Sequence, residues 1–164
     1  MTVTTHSAVV TLPTDTTILI TREFDAPRHL VYRAWTEPDL ISQWWHANRG
    51  TIDSIEVDLR VGGAWRYVMT ATEGFEVAFH GEFVEIVPDE RLVSTEVYEG
   101  APEAEASVTT LTFTELEDGR TRIELLVEHA NKADRDMHVD SGMEAGLQDA
   151  LDMVEGIARS LARS

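Results

Sequence analysis

The 164-residue chain contains no cysteine, and Lys132 is its only lysine. The first absence excludes disulfides, thiolate metal sites and cysteine nucleophiles. Basic residues of either kind are scarce, 13 against 30 acidic ones, for a net charge of −17. That balance opposes sequence-independent binding to nucleic acid, which works by neutralising phosphates, so no nucleic acid is expected as a partner. It equally opposes adsorption to an anionic membrane. No run approaches the roughly 20 apolar residues that cross a bilayer, so no membrane association is expected. The opening "MTVTTHSAVVTLPTDTT" lacks the basic start and apolar core of a signal peptide, which predicts a cytoplasmic location. No phosphate-cradling glycine loop, dinucleotide fingerprint or Ser-His-Asp arrangement can be read, and no cofactor is predicted.

What is present is a chain of ordinary globular composition, 43% hydrophobic and 26% charged, long enough for one domain with a real core. Residues 1–15, Thr-rich and carrying Pro13, read as a flexible lead-in to a single domain over 16–164. "TTILITREF" reads as a strand. "DAPRHLVYRAWT" follows it with the start signals of a helix, Asp25 as cap and Pro27 in the first turn. "EPDLISQWW", opened by Pro38 and Asp39, predicts a second short helix in a V-shaped pair with the first.

From residue 50 to about 130 the pattern turns to six β-branched and aromatic segments joined by short turns, which favours an antiparallel meander. Asp118-Gly119 is a strong hairpin signal, Gly62-Gly63 predicts a tight bend with φ > 0, and "EGAPEAEA" reads as a mobile loop. In the last segment, from about Ala133, Met143, Leu147, Leu151, Val154, Ala158 and Leu161 recur at steps of three or four, which predicts one long amphipathic helix. A sheet with one apolar face needs a cover, and this helix has the length and stripe to supply it. The predicted class is therefore α+β. The predicted architecture is a helix-grip fold: a curved antiparallel sheet of about seven strands round a long C-terminal helix, with two short helices after the first strand.

Large apolar groups alternate along "AWRYVM", so Trp65, Tyr67 and Met69 share a strand face. Each could fill core. Added to Trp44, Trp45, Phe75, Phe79, Phe83, Leu111, Phe113, Ile123, Leu125 and Val127, and met by Met143, Leu147, Leu151 and Val154 from the helix, they make a large apolar interior. A long sheet gripping one helix does not close tightly everywhere, and apolar hollows are where small ligands bind. The ligand-binding set is accordingly Trp44, Trp45, Trp65, Tyr67, Met69, Phe79, Phe113, Met143 and Leu147. Asp58 and Arg60 read as an ion pair clamping the Gly62-Gly63 turn.

No catalytic set can be assembled. His46, His80 and His129 are the only candidates for proton transfer near neutral pH. Glu82, Glu96 and Glu128 read as solvated outer-face residues. Asp134, Asp136, His138 and Asp140 lie close together but match neither a calcium loop nor a zinc motif, and an acidic helix start explains them better, so no metal is predicted.

Four segments, "FDAPRHLVYRAWTEPDLISQWW", "VDLRVGGAWRYVM", "FHGEFVEIVPDERLV" and "GMEAGLQDALDMVEGIA", closely resemble the activator of heat-shock-protein-ninety ATPase homologue family. That family lies within the START-like superfamily of polyketide cyclases, lipid-transport proteins and birch-pollen-allergen-like proteins (SRPBCC). The resemblance runs from about Thr17 to Leu161 and implies a hydrophobic cavity between sheet and long helix. Many members carry Trp where this chain has Leu147, which implies a different lining. The leading expectation is a module that binds a small hydrophobic or aromatic molecule of lipid or polyketide type. An enzyme on the same fold, cyclase- or aromatase-like or a hydrolase, is the alternative. A stress-linked, chaperone-activator-like interaction protein is a third. A homodimer through a sheet edge or helix remains a possible partner arrangement.

Overall fold

The structure, a computed structural model, describes residues 7–101 and 105–163. Its sheet has eight strands: β1 (Val9–Thr11), β2 (Thr17–Phe24), β3 (Gly50–Val57), β4 (Ala64–Ala71), β5 (Glu76–Val87), β6 (Arg91–Tyr98), β7 (Ser107–Glu115) and β8 (Thr121–Glu128). Their spatial order is β1-β2-β8-β7-β6-β5-β4-β3, every pairing antiparallel. The six middle strands thus form the expected meander, and β2 closes against β8 with Ile18 opposite Val127 and Phe24 opposite Thr121. The eighth strand is the departure. Part of the expected lead-in is built into the sheet edge, where Val9–Thr11 pairs with Leu19–Thr21. Ala8 N–H donates to Gln148 Oε1 and Gln148 Nε2 donates to the Ala8 carbonyl, tying this edge to the terminal helix.

The turns follow local chemistry. Gly62 has φ +84°, and a Cβ on Gly63 would sit 2.1 Å from the Asp58 carbonyl, so the bend between β3 and β4 needs both glycines. Arg60 Nε donates to Asp58 Oδ2 at 2.8 Å across that bend, an exposed clamp as expected. Asp118 and Gly119 both take positive φ, +67° and +74°, in the connection from β7 to β8. Three residues of the expected loop between β6 and β7, 102–104, lie outside the described residues.

Helices α1 (Arg28–Thr36) and α2 (Pro38–Ile41) form the expected pair. Pro27, not Asp25, occupies the N-cap of α1, and no side chain caps it. Asp25 is engaged elsewhere, its N–H donating to Glu155 Oε2. Trp44 Nε1 donates to the Ala34 carbonyl at 2.8 Å, and Trp35 and Trp44 pack at 5.3 Å, which locks the turn after α2 onto α1.

The terminal segment is two helices, α3 (Lys132–Asp140) and α4 (Met143–Ala162), rather than one. Asn131 Oδ1 accepts from Asp134 N–H and caps α3. Gly142, at φ +84°, turns the chain between the two helices in a conformation that L side chains resist. At 20 residues α4 spans about 30 Å and carries the expected stripe, with Leu151, Val154 and Ala158 essentially inaccessible.

One anchor of α4 is ionic. Arg22, on β2 and 1% exposed, donates through Nη1 to Asp152 and through Nη2 to Glu155, both at 2.8 Å. The same guanidinium stands 5.1 Å from the centre of the Phe24 ring. An arginine buried this deeply persists only because its charge is paired.

Candidate functional site

Between the sheet and α4 lie two adjoining hollows. The inner one, about 330 Å³, is walled by Ile20, Trp65, Tyr67, Phe83, Leu92 and Leu125 from the sheet and by Gly146, Leu147, Ala150 and Leu151 from α4. The outer one, about 450 Å³, is bounded by Val77, Phe79, Tyr98, His129, Asp134 and Met137 among others. Trp45, Glu96, His138 and Met143 border both and mark where they meet. The volumes fall in the range of small-molecule sites.

Alternation builds the sheet wall. On β4, Trp65 and Tyr67 face inward with ring centres 4.7 Å apart. Trp65 lies opposite Gly81 of β5 in the strand register. A Cβ on Gly81 would fall 1.8 Å from the Thr95 carbonyl and 2.8 Å from Trp65 Nε1, so glycine leaves the room that the indole and β6 occupy. Trp45, presented by the turn after α2, stands 5.4 Å from Tyr67 and 5.8 Å from Phe79. Phe79 in turn stacks 4.9 Å from Tyr98. The result is a continuous aromatic wall running from one hollow to the other.

Of the nine residues expected to contact ligand, Trp44, Trp45, Trp65, Tyr67, Phe79, Met143 and Leu147 border these hollows. Met69 and Phe113 do not. Met69 shares the inward parity but lies near the end of β4, half-buried between Ile52 and Val77 in the register. Phe113 is 2% exposed and packs edge-on against Tyr32 and Trp35 of α1, at 5.5 and 6.0 Å, so it is core beneath the helix pair. Phe75, grouped with the interior by sequence, is 56% exposed in the turn between β4 and β5.

The histidines separate by position. His46 Nδ1 accepts from Asn48 N–H within its own turn, outside both hollows. His80 points to the opposite sheet face, where its Nδ1 lies 2.9 Å from Glu99 and Arg66 donates to the same carboxylate twice at 2.9 Å. Those contacts, Arg66 first, hold the Glu99 carboxyl down at about 2. His129 does border the outer hollow, and its Nε2 lies 3.0 Å from Nδ1 of His138. Burial, reinforced by His129, lowers His138 to about 4, and burial also lowers His129. Both imidazoles are therefore neutral at pH 7, one donating to the other.

Glu96 corrects the expectation of an outer-face residue. It shares the inward parity of Leu92 and Ser94 on β6 and borders both hollows. Burial raises its carboxyl from 4.5 to about 7. Burial, and secondarily Glu96, push the Tyr67 phenol upward as well. Two further polar groups of the inner wall, Trp65 Nε1 and Thr109 Oγ1, are buried without a hydrogen-bond partner. Among the described residues no cluster of His, Asp and Glu has the arrangement to hold a metal ion. No helix among them is long and apolar enough to cross a membrane.

This architecture recurs in solved structures. Protein NE0264 from Nitrosomonas europaea is 24% identical with a TM-score of 0.82, the match covering 93% of this chain and all of that one. A protein from Rhodobacter sphaeroides is 23% identical with a TM-score of 0.84, covering 96% of this chain and all of that one. Protein CV1439 from Chromobacterium violaceum is 27% identical with a TM-score of 0.75, over 88% of this chain and 98% of its own. No curated protein is significantly similar in sequence. The activator of Hsp90 ATPase homolog 1-like proteins match over residues 25–158, most of the described fold. With the eight-stranded grip on α4 matching neighbours of the START-like helix-grip fold, the chain belongs to the activator of Hsp90 ATPase homolog 1-like protein family.

Proposed function

We propose that this protein binds a small, mainly apolar molecule in the chamber between its sheet and α4. The observation that carries this reading is the pair of adjoining hollows, about 330 and 450 Å³, walled by Trp45, Trp65, Tyr67, Phe79 and Tyr98. A protein interior normally closes to crystal-like density, so space of this size between an apolar helix stripe and an aromatic sheet face has to be held open at a cost in packing. A ligand recovers that cost when it enters. The aromatic walls suit flat or polycyclic molecules as well as aliphatic chains.

A thermal-shift screen with aromatic polyketides, flavonoids and alkyl compounds tests the reading. A binder present at 100 times its dissociation constant stabilises the fold by about 2.7 kcal/mol. Leu147→Trp, which places an indole into the inner hollow, should abolish that stabilisation without unfolding the protein. A screen in which nothing stabilises the wild type, or in which Leu147→Trp responds like the wild type, overturns the proposal.

A second reading, an enzyme in the same chamber, is favoured by one specific observation. A neutral imidazole, His138, and a carboxyl near neutrality, Glu96, border the same space, which is the equipment of acid–base chemistry. Turnover of a stabilising compound, lost in His138→Asn while binding persists, would establish it.

A further inference from the structure

We propose that the molecule held in this chamber is a hydrophobic amine, its protonated nitrogen received by Glu96 within the aromatic wall and its apolar body lying along α4. The inference rests on the binding reading above and specifies its chemistry. Three observations converge on it.

The first is the sign of the lining. Glu96 borders both hollows, and Glu105 and Asp134 border the outer one. No lysine or arginine borders either among the described residues. The guanidinium of Arg49 comes near Gly146 but is bound to the Ala47 carbonyl and to Asp149, at 2.6 and 2.9 Å. His138, the imidazole common to both hollows, is neutral and already engaged by His129. A fatty-acid carboxylate or a phosphate would therefore meet like charge with nothing to neutralise it. A cation would meet its complement.

The second is the rings beside that carboxyl. Trp45, Phe79 and Tyr98 follow one another at 5.8 and 4.9 Å, and Trp45 also contacts Tyr67 at 5.4 Å. Ring faces attract a cation within about 6 Å through the aromatic quadrupole, and aromatic cages are a recurrent way to hold substituted ammonium groups. A cage that includes a carboxylate adds a charge-assisted hydrogen bond.

The third is the carboxyl's own situation. The Glu96 backbone is engaged, its carbonyl accepting from Ser107 Oγ, while its side chain faces the chamber on the strand parity that otherwise carries Leu92, Ser94 and Tyr98. An acid placed in an apolar chamber without a protein cation is destabilising by itself, and a bound ammonium relieves that cost. The net charge of −17 also draws cations toward the protein.

The test uses three probes on one ring system: 2-(1-naphthyl)ethylamine, 2-(1-naphthyl)ethanol and 1-naphthylacetate, each titrated calorimetrically into the full chain, its Glu96→Gln variant and its Leu147→Trp variant. The expected order is amine, alcohol, acid, the amine tighter than the alcohol by on the order of tenfold. Glu96→Gln should erase that preference, bringing the amine's affinity down to that of the alcohol. It removes only one of 30 acids, so adsorption to the acidic surface would survive it. Equal binding of amine and alcohol, tighter binding of the acid, or a preference that persists in Glu96→Gln overturns the amine assignment and leaves the chamber reading standing. No binding by any probe, or amine binding that persists in Leu147→Trp, overturns both.

Discussion

Replacing Glu96 with Gln should stabilise the protein, and by an amount that grows with pH. Burial raises this carboxyl from 4.5 to about 7, so the folded chain holds its proton where the unfolded chain releases it. The contribution is fully present below the unfolded value and is lost as pH rises through the folded one. At pH 5.5 the loss is about 1 kcal/mol, and at pH 8.5 it reaches about 3 kcal/mol. Glutamine has the shape of the protonated acid and no proton to lose. The variant's advantage should therefore widen by about 2 kcal/mol between those two pH values. Urea titrations of both proteins at pH 5.5 and 8.5 read it directly, since each comparison is made at one pH and the titrations of His129 and His138 cancel. A gap of equal size at both pH values would refute the burial of this carboxyl. Reversal of the gap would show that a protein cation reaches it.

The other predictions concern what holds the chamber's walls. Glu155→Ala takes from Arg22, 1% exposed, one of its two carboxylate partners and removes the acceptor Oε2 from the Asp25 N–H. It should cost about 3–5 kcal/mol in chemical denaturation, and a loss under about 1 kcal/mol would mean that the guanidinium is solvated. Gly81→Ala would drive a Cβ into the Thr95 carbonyl. It should destabilise by more than the ~1 kcal/mol of a typical point substitution, and thermal melting of the variant checks this. His138, lowered to about 4, contributes stability present above pH 6.5 and lost as pH falls toward 4. His138→Leu should remove about 2 kcal/mol of the wild type's decline between pH 8 and pH 5, measured by the same urea titrations.

The architecture was legible because it is written in local periodicities. Alternation marks "AWRYVM" as a strand, three- and four-residue steps mark Met143 to Leu161 as a helix stripe, and Gly62 and Asp118-Gly119 mark bends that a positive φ satisfies. Each signal depends only on near neighbours. The break between α3 and α4 shows where such reading fails: helix-forming residues run on both sides of it, and the left-handed Gly142, directly after the Ser141 C-cap of α3, divides the segment.

The chamber's chemistry was decided at longer range. Along "RLVSTEVY" the apolar parity is as well served by Val93 and Val97 as by Leu92 and Tyr98, so alternation gives no reason to turn Glu96 inward. Both faces of this strand are partly covered, Val93 being 8% exposed and Leu92 7%, and pairing with β5 and β7 chooses between them. Likewise Arg22 reads as a surface residue until Asp152 and Glu155, 130 and 133 positions later, arrive to hold it. His129 and His138 become partners only when α3 folds back over the end of β8. A chain can announce its helices, strands and bends through neighbours three or four places apart. Which charge is sealed inside, and against what, depends on segments that meet only after the sheet has wrapped its helix.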